Sequence, residues 1–299
     1  MDQKTLQIIT SKSQADKAIN SLKGILLGIN LDKVVNSDEI HELKNWVKKH
    51  HDLVLRNPFR EFMLIIDSIS EEDLGLTETI EDLFWLCQKY EGDNYYYNTV
   101  TTDLQILQGL CHGILADGEI TDKEIFDLDK WLDDNEHLNT YYPYDEIRSL
   151  VLSIVSDGKV TEDERLVLKA YFSQFVNLAN TDIQQKIKED TKEVNISGLC
   201  TSEPVLNFDG KTFCITGVLK NETKESLKQK ITNLGGITTD SVTKKTDYLI
   251  VADNGNPAWA FSCYGRKVEK AVNMRKDGHV ITLIHEFDLY DAIEDFGAN

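Results

Sequence analysis

At 299 residues and 41% hydrophobic content, the chain is long enough for two or three domains with cores of their own and has the composition of a globular protein. No apolar run approaches the roughly 18 residues of a membrane span, and the opening stretch MDQKTLQIITSKSQADK lacks a signal peptide's apolar core. A cytoplasmic protein with no membrane partner is therefore expected. The net charge of −19 is uneven: residues 51–150 hold 23 acidic against six basic residues, whereas residues 201–299 hold 14 against 12. Phosphate backbones are repelled from the middle of the chain, which argues against a nucleic-acid partner there and leaves the last third free of that handicap. The acidic middle reads either as a solubilising surface or as a protein-docking face. Cys87, Cys111, Cys200, Cys214 and Cys263 are scattered without a CxxC pair, as reduced core residues are.

In chain order, the first feature is a duplication. Shifted by 85 residues, LKGILLGINLDKVVNSDEIHELKNWV from Leu22 lies without a gap over LQGLCHGILADGEITDKEIFDLDKWL from Leu107. Gly24 falls on Gly109, Gly28 on Gly113, Asp32 on Asp117, Glu39 on Glu124, Trp46 on Trp131 and Pro58 on Pro143. Two copies of one helical module are expected, over residues 1–95 and 96–180, each of four helices. In the second copy these fall near 100–116, 121–135, 144–156 and 161–178. Ile125, Leu128, Trp131 and Leu132 have the spacing of a buried helical stripe. Thr121 with Glu124, Thr161 with Glu164, and Asn36 with Glu39 fit capping boxes. The tyrosine-rich stretches NYYYN and NTYYPY punctuate the helices and either pack between the copies or face a partner.

DGEITDKE (Asp117–Glu124) and DGKVTEDE (Asp157–Glu164) match the second half of a calcium-binding EF-hand loop. The first half fails, because Gly113, Leu115, Ser153 and Val155 stand where carboxylates are needed. Asp117, Glu124, Asp157 and Glu164 are thus weak metal candidates, and no metal or other cofactor is expected. The alternative for each stretch is a tight loop followed by a capped helix. Short helices joined by DGxIxxxE turns resemble the TerB-like modules of tellurite-resistance proteins, over most of residues 15–178. That resemblance implies attachment to other domains and a stress- or phage-related setting, with no agreed catalytic activity.

Residues 181–204 become polar and read as a linker, the first half of which is able to extend a helix. From Val205 strand and helix alternate. KTFCIT is a buried strand, KESLKQKITNLGG an amphipathic helix ending on Gly235-Gly236, ITTDSV a short strand and TDYLIVA a central strand. SCYGRKVEKAVNMRKDG is a helix, HVITLI a strand and HEFDLYDAIEDF a last helix. The expected fold is two-part: an all-α N-terminal region, then an α/β domain over 205–299 with a small four-stranded parallel sheet. The motifs FCITGVL, LGGITTDSVTKKTDYLIV and GRKVEKA resemble, in order, those of a BRCT domain of the type found in bacterial NAD-dependent DNA ligases and the large subunit of replication factor C. Phe287 and Tyr290 stand in the last helix where many BRCT domains carry tryptophan. Trp259, in the long connection DNGNPAWAFSCYGR, reads as a core plug or a surface contact.

Thr216 and Gly217 end the first strand at the carboxyl edge of a parallel sheet, where α/β folds bind ligands. A threonine hydroxyl and a glycine N–H both donate to phosphate oxygens, and a following helix N-terminus favours an anion. The resemblance carries the phosphate-binding lysine of the second helix over to Lys267, and a basic residue early in the first helix to Lys224. Lys244, Lys245 and Arg266 are candidates for further phosphate contacts. Against this stands the reading in which Thr-Gly serves only the turn and the lysines only solubility. The chain shows no ligase adenylation motif, Walker loop, GxSxG or HExxH, so a non-enzymatic adaptor is expected. Its partners are DNA ends bearing a 5′-phosphate or a phosphorylated protein, with a further protein, or self-association, at the acidic helical module. A purely protein–protein BRCT scaffold and a calcium-responsive helical module are the alternatives.

Overall fold

The computed structural model describes residues 3–70, 76–91, 99–194, 196, 199–201, 204–252 and 266–297. The NYYYN stretch, Trp259, Cys263 and most of the connection that carries the last two lie outside these residues. The chain divides into two compact units, one of Met1–Trp131 with Val160–Val194, the other of Leu132–Lys159 with Asn195–Asn299. Among the described residues no helix is long and apolar enough to cross a membrane.

The duplication reappears in the helix boundaries. Helices α1 (Gln3–Ile29), α2 (Ser37–Lys49), α3 (Phe59–Ser68) and α4 (Leu76–Glu91) are followed by α5 (Thr99–Leu115), α6 (Asp122–Asp134), α7 (Tyr144–Val155) and α8 (Glu162–Phe172). Adding 85 to the limits of α2 gives those of α6, and adding it to the 3-10 turn His51–Leu53 gives the turn Glu136–Leu138. Pro58 and Pro143 are the N-caps of α3 and α7. Asn36 with Glu39 and Thr161 with Glu164 close full capping boxes at α2 and α8. Thr121 and Glu124 exchange the same bonds before α6. In the stripe of α6, Ile125, Leu128 and Leu132 are buried, while Trp131 is half-buried.

In the helical unit, α1 and α5 lie against each other in parallel. A Cβ on Gly24 would sit 2.7 Å from Gly109 Cα, and one on Gly28 would sit 2.7 Å from Gly113 Cα. The reverse tests give 2.9 and 2.8 Å, so equivalent residues of the two copies meet across an approximate twofold axis. Asn20 donates to its own counterpart position, Gln105, at 2.8 Å. Around this seam the first copy packs Leu22, Leu26, Leu43, Trp46, Phe59, Phe62 and Ile66 into one core. The segment expected as a linker begins with a separate helix, α9 (Thr181–Asp190), capped by Asn180. Its buried Ile183 and Ile187 pack at Gly118, where a Cβ would meet Ile183 at 2.9 Å.

The second unit is built on strands β1 (Thr212–Thr216), β2 (Ile237–Thr239), β3 (Tyr248–Val251) and β4 (Thr282–His285), all parallel, in the order β2-β1-β3-β4. Side chains alternate across a strand. Phe213 and Ile215 face α10 (Lys224–Asn233) and α12 (Glu286–Gly297), packing with Leu227, Ile231 and Leu289. Cys214, Leu249 and Val251 face α11 (Arg266–Lys276), packing with Val268 and Ala271. Helix α7 belongs to this unit. Arg275 of α11 is 4% exposed and donates to Asp145 Oδ1 at 2.5 Å and Glu146 Oε1 at 3.0 Å, both of them on α7. Thr201 completes the cluster: its hydroxyl donates to Asp145 Oδ2, and its amide donates to Leu283 O. Residues 199 and 201, expected in the linker, are therefore buried in this unit.

Candidate functional site

Strand β1 is held on both sides by parallel partners, which fixes where its last residues emerge. Thr216 lies on the same face as Cys214, the face covered by α11, and its hydroxyl takes no hydrogen bond among the described residues. Gly217 follows with φ +84°, and an added Cβ would lie 2.9 Å from Ala252 Cβ, so glycine is required there for conformation and for space. The N–H groups of Gly217, Val218 and Leu219 meet no acceptor among the described residues. Lys220 N–H, next along, donates to Glu286 Oε1 at 3.0 Å and ends that open stretch.

Lys267, on the first turn of α11, reaches under this corner and donates from Nζ to Ile215 O at 3.0 Å. It also helps to hold the Cys214 thiol's rise in check: burial raises that group and Lys267 is the first opposing influence. Lys224 is the first residue of α10, after the N-cap Thr223. Asp240 registers the local field, since its carboxyl is lowered by Lys228 foremost, with Lys267 and Lys224 contributing. Lys228, which donates to Asp240 at 2.6 Å, was absent from the sequence candidates. Its position four residues after Lys224 on one helix face is the signal that finds it.

The other candidates separate. Arg266 is exposed at the start of α11. Lys244 and Lys245 do not join the corner. They lie in the turn Thr243–Thr246 that leads into β3, and the next residue, Asp247, donates to Thr212 O at the amino end of β1. The chain between two parallel strands has to run from the carboxyl edge back to the amino edge, and these lysines fall at the end of that run.

Among the described residues no group of three or more His, Cys, Asp or Glu is placed to hold a metal ion. The four weak candidates serve turns and caps. Asp117 Oδ1 and Asp157 Oδ1 accept from the amides of Glu119 and Lys159, and Glu124 and Glu164 accept from Thr121 and Thr161. One acidic cluster nonetheless has a consequence for stability. Asn36 Nδ2 donates to Asp117 Oδ2 at 2.9 Å, tying the loop of one copy to that of the other. Burial, then Asp117 and Asp32, push Glu39 up to about 8 and Glu124 up to about 7. An unfolded carboxylate loses its proton near pH 4–5, so between there and pH 8 the folded state binds more protons and stability falls as pH rises. Glu39→Gln should therefore gain about 1–3 kcal/mol over wild type at pH 8 and almost nothing at pH 4. Urea titrations at the two pH values read this, and an equal effect at both would refute it.

Residues 203–293 match the BRCA1 C Terminus (BRCT) domain family. Among curated proteins, the DNA ligase of Fervidobacterium nodosum is 40% identical over 90 residues, which is 30% of this chain and 11% of that ligase. The DNA ligase of Pseudothermotoga lettingae is 48% identical over 63 residues, 21% of this chain and 8% of the ligase. That of a Thermoanaerobacter species is 37% identical over 83 residues, 28% of this chain and 12% of the ligase. The chain thus spans about a tenth of the length of these relatives, and no solved structure matches. With its β2-β1-β3-β4 sheet, one helix on one face and two on the other, the segment of residues 203–293 is a BRCT domain.

Proposed function

We propose that the chain is a non-enzymatic adaptor whose BRCT domain recognises a phosphate, foremost a DNA 5′-phosphate end, while its acidic helical unit holds a second protein. One observation carries this reading. Among the described residues, the Thr216 hydroxyl and three successive N–H groups have no partner at the carboxyl edge of the sheet, and the Lys267 ammonium lies beside them. Such a run of amides with a cation is a phosphate cradle. The favoured ligand is DNA because the named relatives are DNA ligases and because this third of the chain is nearly charge-balanced. Lys267 gives up its bond to Ile215 O, or shares it, when a phosphate arrives. A phosphorylated protein is the second reading and uses the same cradle.

Fluorescence anisotropy with recessed DNA ends tests this. A 5′-phosphorylated end should bind at least about tenfold more tightly than an unphosphorylated one, since charge-assisted bonds are lost with the phosphate. Lys267→Glu should remove that difference, and binding should weaken steeply with salt. Equal affinity for both ends, or an unaffected Lys267→Glu variant, would sink the DNA reading. Phosphatase-sensitive binding to a phosphopeptide without DNA binding would favour the second.

A further inference from the structure

The helical unit contains a cleft of about 390 Å³ that the phosphate reading does not use. Lys17 of α1, Lys49 and His50 at the end of α2, Asp52 of the turn after it, and Gln105 and His112 of α5 line it. Phe175, just beyond α8, supplies an apolar wall.

Its histidines are set rather than loose. His112 Nε2 is 2.9 Å from Glu42 Oε2, whose side chain is fully buried. Glu42 is itself fixed, because its Oε1 accepts from the amides of Ala179 and Asn180 at 2.7 and 3.1 Å. A carboxylate so held keeps the hydrogen on Nε2 and leaves Nδ1 as the second polar atom of the ring. His50 Nδ1 is 2.9 Å from Trp46 O, and a carbonyl only accepts, so its Nε2 is the remaining atom. Neither remaining nitrogen has a hydrogen-bond partner among the described residues. Gln105 Oε1 is occupied by Asn20, which leaves the Gln105 amide N–H groups as donors.

Charge adds a second, independent observation. In a chain of 51 acidic and 32 basic residues, Lys17 and Lys49 are exposed and make no ion pair among the described residues. Among the described residues Asp52 is the single carboxylate lining the cleft. The duplication supplies a comparison within the molecule. At the shifted positions, Lys17, Lys49, His50 and His112 become Thr102, Asp134, Asn135 and Leu27. The glycine seam is kept in both copies, whereas each of these cations and imidazoles, three in the first copy and His112 in the second, is absent from its counterpart position. A requirement of the fold would be met twice, and this set is met once. A metal is not the occupant that fits, since no three-ligand group exists among the described residues.

We infer that this cleft is a binding site for a small organic anion, a metabolite-sized carboxylate or phosphate ester. Lys17, Lys49 and His112 hold its oxyanion, and Phe175 covers its carbon frame. The volume is at the small end of ligand pockets, which suits a metabolite rather than a peptide. An anion so bound lies within reach of the His112 ring, which reports its arrival.

Histidine-ring nitrogen NMR on the full chain tests this, titrating inorganic phosphate and, separately, benzoate. The expected result is a saturable shift of the His112 ring signals with at least one probe, weakened about tenfold in Lys49→Ala, a change at an exposed position. A response to benzoate alone assigns a carboxylate, and a response to phosphate assigns a phosphate ester. Lys267→Glu should leave the titration unchanged, so failure of the BRCT cradle and failure of this cleft are read separately. No shift, a linear shift without saturation, or an identical response in Lys49→Ala would overturn the inference.

Discussion

Gly28→Ala should destabilise the helical unit by about 2–4 kcal/mol, although alanine is the better helix former by about 1 kcal/mol. The reason is what the new methyl would meet. A Cβ at Gly28 lies 2.4 Å from Leu110 O, 2.7 Å from Gly113 Cα and 2.8 Å from Ile114 N. All three are backbone atoms of α5, so no rotamer change clears them and the two helices have to separate. Separation costs dispersion contacts along the whole seam, which exceeds the propensity gain. Gly113→Ala should behave alike, its Cβ meeting Ile25 O at 2.5 Å. Urea denaturation followed by circular dichroism measures this, and a Gly28→Ala protein as stable as wild type would contradict the parallel glycine seam.

Arg275→Ala should cost about 3–5 kcal/mol in the second unit, because it leaves buried carboxylates without their counter-charge. Asp145 is 1% exposed and Glu146 3%, and the guanidinium is their shared partner. Its plane also lies over the Tyr142 ring, with Cζ 5.1 Å from the centroid. The cost is one of stranding rather than of lost attraction, so a compensated change should recover most of it. Arg275→Met combined with Asp145→Asn and Glu146→Gln should regain at least half the loss, as buried ion groups replaced together are close to neutral. If the triple variant were no better than Arg275→Ala, the loss would be one of packing.

Local rules reached much of this fold. The capping boxes at Asn36 and Thr161, the four parallel strands and the glycine turn at Gly235, with φ +89°, follow from patterns within about ten residues. The shift of 85 residues disclosed the repeat, and with it the alignment of Gly24 with Gly109. It did not disclose that aligned residues touch, because a repeat is equally compatible with stacking at a distance. Arg275 and Asp145 are 130 residues apart, and no periodicity links them. The site was read in the same uneven way. Thr216, Gly217 and Lys267 meet because strand ends and helix starts converge at one sheet edge. Lys244 and Lys245 fall at the opposite edge because the loop that carries them has by then returned to the amino end of the sheet. Lys228 shares the field at Asp240 because it stands one turn after Lys224 on α10.

The in-register crossing of α1 and α5 has the form of a homodimer interface, with two like chains joined into one. A free pair of such halves would come apart on dilution, whereas covalent joining holds the effective molarity of one half around the other constant. The assembly then persists at any expression level. Each half is also released from having to match its twin, which is the condition under which one surface of a symmetric object acquires a specialised task.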